Sequence, residues 1–580
     1  MSYYIGVHYG HNATVCVMED GKVIFYQSEE RLNRLKNSTG FPTKTLDYVF
    51  QNICSRDAVE RLAFSQRSIG GYRFIKRQNF KSIQYGNYLS SEDRVSGFLE
   101  NSALRWNLRQ FLIKKFRDTS RTENAEAEAY WCDITGLPSD KLVYVDHHET
   151  HALSAVPLAE YGKEYLVFTA DGVGDYASST VSLLKDTKLE CLSSVDHKNS
   201  LGYFYSAITA LMGMKSGEHE FKVMGLAPYS NPEYYRPILS ELQKLLTLDE
   251  YGEFRAEITP NKLYDVLGRI IQHKRFDNVA GAIQELTESL LEEWVLYWVQ
   301  KTGVRRIMLA GGVMMNVKAC QVLASLDEVQ DIRVVPSAAD ESTALGAAVY
   351  LSCQGGHRIE PLTHLYLGQG FSDAECLKEI ESYGEAEGDI IFSQPESIAK
   401  KVASLLANNQ IVARCAGPME FGARALGNRS ILANPADFAT VEEINATIKI
   451  RDFWMPFTPS ILSTDMERYI VNPKEVQATY MSITFDTTTE ARRDLKAAIH
   501  PRDKTARPQC VYESWNKPYF DIINEFKAVT DIGAVLNTSF NLHGEPNVCS
   551  PKDALDTFKN SDLKWLVLGS YLVEKKKHTV

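Results

Sequence analysis

The pattern that most restricts the fold of this chain is one that occurs twice. Three short apolar segments, Tyr3–Val7, Ala13–Met18 and Lys22–Tyr26, open the sequence, separated by Tyr9-Gly-His-Asn12 and by the dipeptide Asp20-Gly21. Asp-Gly between apolar runs signals a tight hairpin, because both central residues of that turn need positive φ. The same opening returns at Tyr165–Phe168, Ser179–Leu184 and Glu190–Val195, with a glycine-containing turn expected at Asp171–Asp175. Two such starts predict a duplicated α/β domain with a ligand cleft between its halves. Asn278–Gln300 places Val279, Ile283, Leu286, Leu290, Trp294 and Trp298 at helical spacing and reads as a core helix. Strands at Arg306–Ala310 and Ile332–Pro336 and helices at Lys318–Ser325 and Ser342–Leu351 complete this part.

A chain of 580 residues is too long for one core. The aperiodic stretch Gln354-Gly-Gly-His-Arg-Ile-Glu-Pro361 marks the expected boundary, dividing a domain at 1–358 from one at 365–580. Residues 66–125 read as an insertion, with Arg67, Arg73, Lys76, Arg77 and Lys81 as a solvated basic face. A formal charge of −11 argues against general nucleic-acid binding, since no overall basic field exists to neutralise phosphates. The ten cysteines include no Cys-x-x-Cys pair, as in a reducing compartment. A strand at the start in place of a signal sequence, and no apolar run of membrane-spanning length, lead to the expectation of a cytoplasmic protein with no membrane partner.

Three groups of residues could carry chemistry. In Val145-Asp-His-His-Glu-Thr-His-Ala152, His147 and His151 lie four apart, which on a helix puts two imidazoles on one face. The pair either shares a metal ion or caps a helix N-terminus. Asp171, after the run Tyr165–Phe168, and Asp340, in Ser337-Ala-Ala-Asp-Glu-Ser342, are the candidate further ligands. Two nitrogens with two carboxylates suit iron, manganese or zinc better than calcium or magnesium. The turns at Gly10-His11-Asn12, at Gly172 and Gly174, and at Gly311 and Gly312 could bring main-chain N–H groups close to phosphate oxygens. Further along, Arg424, Arg429, Lys449, Arg451 and Arg507, with Asn537, Thr538, Ser539 and Asn541, form a cationic and polar set suited to phosphate, one or two of the five cations being expected to be structural.

Gly417-Pro-Met-Glu-Phe-Gly-Ala-Arg-Ala-Leu-Gly-Asn-Arg-Ser-Ile-Leu-Ala-Asn-Pro435, Lys449-Ile-Arg-Asp-Phe-Trp-Met-Pro-Phe457 and Asn537-Thr-Ser-Phe-Asn-Leu-His-Gly-Glu-Pro546 resemble the long signatures of the O-carbamoyltransferases of nodulation-factor, antibiotic and toxin biosynthesis. The resemblance implies a duplicated actin/sugar-kinase/heat-shock-like α/β domain of the threonylcarbamoyl-transferase branch, fused to a C-terminal α/β carbamoyl-adenylate-synthase-like (YrdC-like) domain. It implies that ATP and carbamoyl phosphate form carbamoyl adenylate in the C-terminal domain, with release of pyrophosphate. Arg424, Lys449 and Arg507 would act there catalytically, and Arg429, Arg451, Asn537, Ser539 and Asn541 would bind the co-substrates. It further implies a metal, expected to be iron, on His147, His151, Asp171 and Asp340, with Asn12, Gly172, Gly174, Gly311, Gly312 and Asn316 holding the nucleotide. The carbamoyl group would pass to a hydroxyl of a small natural product, with His11 either the general base or only a hydrogen-bonding group at the phosphate loop. Related sequences often carry His-Asp where this chain has His11-Asn12. A homodimer is expected on base rates. The competing readings are a tRNA-modifying threonylcarbamoyl transferase and a non-catalytic nucleotide-binding protein.

Overall fold

The computed structural model describes residues 2–67, 121–449 and 451–576. Of the expected 66–125 insertion, residues 68–120 lie outside them. The chain forms two compact units. The first holds residues 1–24, 37–315 and 338–360, and the second holds residues 25–36, 316–337 and 361–580. Besides the division after Glu360, two excursions carry earlier segments into the second unit, which the linear expectation of 1–358 and 365–580 did not include.

Within the first unit the duplication is visible as strand order. β1 (Tyr3–His8), β2 (Thr14–Glu19), β3 (Lys22–Ser28), β4 (Val59–Phe64) and β5 (Leu142–Tyr144) run in the order β3-β2-β1-β4-β5. β2 is antiparallel to β1, and β4 is parallel to it. The later copy repeats this. β6 (Glu164–Gly174) pairs antiparallel with β7 (Ala177–Lys185), β7 with β8 (Lys188–Asp196), and β9 (Arg306–Ala310) joins β6 in parallel. Asp20 and Gly21 both have positive φ, as the hairpin signal requires. The expected turn at Asp171–Asp175 is instead strand as far as Gly174, which pairs with Ala177. The turn residues are Asp175 and Tyr176, at φ 44° and 73°. The Asp-Gly signal at 171 lost to continued pairing of the two strands.

Between the two sheets' sequences lies α1 (His147–Leu153), and after them come the 27-residue α2 (Phe276–Thr302), with Trp294 and Trp298 buried, α3 (Val317–Ser325) and α4 (Thr343–Gln354). Glycine decides how close α4 can come to its neighbours. A Cβ on Gly6 of β1 would lie 1.9 Å from the Ala344 carbonyl oxygen, and one on Gly346 would lie 1.7 Å from that of Thr150 in α1. α4 is therefore pressed against both β1 and α1, which carries Asp340, just before α4, towards the histidines. Gly346→Ala is expected to destabilise the protein by about 2–3 kcal/mol, because main chain must move. Gly268→Ala, in the helix Pro260–Ile271 with only Leu211 Cδ2 at 3.6 Å, is expected to stabilise it by about 1 kcal/mol. Denaturant unfolding of both variants reads the two signs, and the same sign for both would refute the close-approach argument.

The second unit is built on β10 (Ile390–Ser393), β11 (Val412–Cys415), β12 (Arg429–Ala433), β13 (Thr458–Leu462), β14 (Gln509–Val511), β15 (Ala534–Ser539), β16 (Trp565–Leu568) and β17 (Tyr571–Lys575). They form one sheet in the order β10-β17-β16-β11-β12-β15-β13-β14. Alternate residues face opposite sides, so Leu536 joins an apolar cluster with Phe540 and Phe558, while Val535 joins another with Tyr519 and Phe526. The excursion 25–36 is fixed here by Tyr26 stacked on Phe421, by Arg31 donating to the Gly422 carbonyl, and by Arg34 donating to those of Pro546 and Asn547.

Candidate active site

In the first unit, Asp146 caps α1 by accepting from the Glu149 N–H, and one turn separates His147 from His151. Their Nε2 atoms lie 3.1 Å apart. β6 brings Asp171 Oδ2 to 3.4 Å from both nitrogens. Asp340 Oδ1 stands 3.5 Å from His147 and 3.7 Å from His151. One donor atom from each of the four residues lies within 4.8 Å of the others. First-row metals bind nitrogen and oxygen at about 2.0–2.2 Å, which separates neighbouring ligand atoms by about 2.8–3.6 Å in tetrahedral or octahedral geometry. The separations of 3.1–3.5 Å around His147 fall within that range and the 3.7 Å from Asp340 to His151 lies just beyond it, so the donor set fits an ion of this class after a small contraction.

The electrostatics point the same way. Burial alone would lower the His147 imidazole, but hydrogen bonds to Asp171 and Asp340 outweigh it and hold it well above its ordinary range. Burial and the neighbouring Asp340 raise the Asp171 carboxyl, and the two histidines bring it below the usual value. Asp340 is held well below by His147 and His151 despite its burial. Two half-buried carboxylates thus draw positive charge into the cluster, which a metal cation would supply in place of protons. His148 turns away to Thr169 Oγ1 at 2.8 Å, and burial first, then the charges of His147 and His151, push it down to about 3.

The glycines assigned to nucleotide binding have local reasons here. A Cβ on Gly174 would strike His147 at 1.9 Å, one on Gly312 would meet Asp171 Oδ1 at 2.7 Å, and one on Gly311, at φ 92°, would strike the Ala170 carbonyl oxygen at 2.2 Å. Gly172 donates its N–H to Asp171 Oδ1 at 2.8 Å. These positions let main chain close on the ligand cluster. His11 pairs its backbone with Thr39, and Asn12, at φ 61°, donates its amide to buried Glu341 Oε2 at 3.3 Å. Asn316, in the second unit, caps α3 through the Ala319 N–H.

Three contributors escaped the sequence reading. Ser342 Oγ stands 3.3 Å from His151 Nδ1 and orients that ring, while Asp175 accepts from the His147 N–H. His8 ends β1 beside Asp340, its Nε2 3.8 Å from Asp340 Oδ2, and burial pushes it down to about 4. A histidine closing an otherwise apolar strand was the available signal.

In the second unit, the polar end of β15 collects the cationic set. Lys449 Nζ donates to Ser539 Oγ at 3.2 Å and to Asn541 Oδ1 at 2.7 Å. Arg451 donates to Thr538 Oγ1 at 2.8 Å. Asn541 is fixed by its own donations to the Leu542 and Glu545 carbonyls, and Asn537 donates to the Ala425 carbonyl. Burial first, then neighbouring cations, lowers every member that shifts. Arg451 and Lys36 act on Lys449, Arg424 acts on Arg451 and brings it to about 10, and Arg424 with Arg451 acts on Arg507. Arg507 Nε is a buried donor without a hydrogen-bond partner among the described residues. Clustered, mutually repelling cations with an unsatisfied donor fit an anionic ligand.

Arg429 is held differently from the other four cations. It is buried, and its guanidinium donates to the main-chain carbonyls of Cys549, Ala416, Gly417, Asn428 and Gln369. With its Nε and Nη1 donors engaged by main chain, it accords with the expectation that one or two of the five cations are structural.

Residues 4–349 match the family model described as "Carbamoyltransferase N-terminus", and residues 403–575 match that described as "Carbamoyltransferase C-terminus". The chain belongs to the carbamoyltransferase family. It is 31% identical over 575 residues to "Nodulation protein NolNO" of Sinorhizobium fredii, covering 98% of this chain and 79% of that protein. It is 35% identical over 442 residues to "Nodulation protein NolO" of Bradyrhizobium diazoefficiens, covering 74% of this chain and 79% of the relative. Among solved structures, full-length HypF in its phosphate- and nucleotide-bound form aligns with a TM-score of 0.37 at 11% identity. That alignment covers 62% of this chain and 47% of HypF, so the chain spans about half of HypF's length. No helix among the described residues is long and apolar enough to cross a membrane.

Proposed function

We propose that this chain is an ATP-dependent O-carbamoyltransferase with two sites, acting on a hydroxyl of a small natural product. The observation that carries the reading is that each matched domain holds one site of the required charge. The first has a cation-seeking His2Asp2 cluster, and the second has a repelling group of cations, with Lys449 buried and Arg424, Arg451 and Arg507 half-buried. In the second site, Arg424, Lys449, Arg451 and Arg507 bind the phosphates of ATP and carbamoyl phosphate. Water cleaves carbamoyl phosphate to carbamate and inorganic phosphate, and a carbamate oxygen then attacks the α-phosphorus of ATP, breaking its bond to the α–β bridging oxygen, so that pyrophosphate leaves and carbamoyl adenylate remains.

At the first site, the acceptor hydroxyl attacks the carbamoyl carbon, its proton passes to His11, and AMP departs with the carbon–oxygen bond broken. His147, His151, Asp171 and Asp340 would hold the metal, with iron as the expected ion. When bound, that ion supplies a Lewis-acid centre for the adenylate phosphate. Ser342 and Asp175 hold the histidines in place. A protein acting on small molecules also accords with the net acidic charge.

The test is pyrophosphate release from ATP by the purified protein, with and without carbamoyl phosphate. Release that depends on carbamoyl phosphate is expected. Release that is absent, or indifferent to carbamoyl phosphate, would refute the reading.

A further inference from the structure

His8 has no part in the activity as just described, yet it joins two residues that do. Its Nε2 is 2.9 Å from the His11 main-chain oxygen. Its Nδ1 is 2.9 Å from Ser65 Oγ, which is 2.9 Å from Thr343 Oγ1, and Thr343 Oγ1 is 2.6 Å from the main-chain oxygen of Asp340. His8, Ser65 and Thr343 are all buried. A continuous chain of side-chain contacts therefore runs from the backbone of a metal-ligand candidate to the backbone of the general-base candidate.

Both ends of the chain accept, and Thr343 has one hydroxyl proton for either Ser65 Oγ or the Asp340 oxygen, so the direction is set at the His8 end. A carbonyl oxygen only accepts, so the proton of the His8 ring belongs on Nε2, and Nδ1 receives the Ser65 hydroxyl proton. The same Nε2–H edge faces Asp340 Oδ2 at 3.8 Å, while Asp340 Oδ1 faces His147 and His151. The two oxygens of that carboxylate are thus distinguished by their neighbours, one turned to the ligand cluster and the other to His8.

We propose that His8 is a positioning residue. It selects the oxygen that Asp340 presents to a metal and fixes the place of His11 relative to that oxygen. The inference rests on the metal reading given above. Outer groups of this kind orient the ligands they touch, and their loss typically weakens metal binding by about 10–100-fold.

The experiment titrates metal-free protein with Co2+, following visible absorption and equilibrium dialysis. His8→Phe keeps a ring and loses both nitrogens. It is expected to raise the Co2+ Kd by about 10–100-fold and to shift the visible bands. Ser65→Ala breaks the chain away from Asp340 and should move both readouts less, in the same direction. His8→Gln can still donate an N–H and should recover part of the affinity, which keeps the test decisive should His8→Phe not fold. Wild-type affinity and spectrum in both His8 variants would overturn the inference while leaving the metal site standing. No Co2+ binding by the wild type would overturn both.

Discussion

His147→Ala is expected to remove metal binding and to reduce AMP formation in the presence of a hydroxyl acceptor by at least about 10³-fold, since a Lewis-acid centre is worth several kcal/mol to such a step. His147 is the hub of its cluster, lying within 3.1–3.5 Å of His151, Asp171 and Asp340. Without it, two half-buried carboxylates face each other with less positive charge to offset them. The metal-free variant should therefore lose about 3–5 kcal/mol of stability, the range found when one partner of a buried pair is removed. Asp340→Asn should be milder in the metal-free protein, because it removes a negative charge instead. Pyrophosphate release in the first turnover, which the proposed function assigns to the second unit, should survive both changes. Quench-flow measurement of pyrophosphate alongside steady-state AMP separates the two steps. Loss of the first-turnover pyrophosphate in a folded His147→Ala protein would contradict the two-site division.

The second large effect has opposite signs for stability and activity. Arg507 is half-buried among cations, with its inaccessible Nε unsatisfied, and its guanidinium is depressed by desolvation, by Arg424 and by Arg451. Arg507→Met keeps length and apolar bulk while removing the repulsion, so the ligand-free protein should gain about 1–2 kcal/mol. Carbamoyl-phosphate-dependent pyrophosphate release should fall by about 10²–10³-fold, the usual loss on removing one donor to developing charge. Phosphate should raise the melting temperature of the wild type by binding its native state and should raise that of the variant less. A variant that is both less stable and fully active would assign Arg507 to the framework, as the carbonyls around Arg429 do for that residue.

Legibility in the sequence followed the range of the interaction. Hairpins and the core helix depend on alternation, turn residues and helical spacing, all local, and they stand within a few residues of expectation. The pairing of His147 with His151 is likewise a matter of one helical turn. The meeting of Asp171 and Asp340 with that pair is not, since it depends on α4 being pressed against β1 and α1 through Gly6 and Gly346. A sequence shows those as two unremarkable glycines. Charge type also misleads where geometry decides. Arg429 and Arg507 belong to the same basic set, yet one is saturated by main-chain carbonyls and the other keeps a buried donor unsatisfied. His8 was missed because a lone histidine at a strand end carries no spacing signal, and the turn at Asp175-Tyr176 was missed because Asp-Gly earlier in the strand is the stronger local cue.

The excursion of residues 25–36 into the second unit has a consequence during synthesis. Tyr26 leaves the ribosome long before Phe421, the ring it stacks on, and at about 5–20 residues per second the interval is roughly 20–80 s. Throughout that time β1, β2 and β3 can pair, while Tyr26, Arg31 and Arg34 wait for their later partners Phe421, Gly422, Pro546 and Asn547.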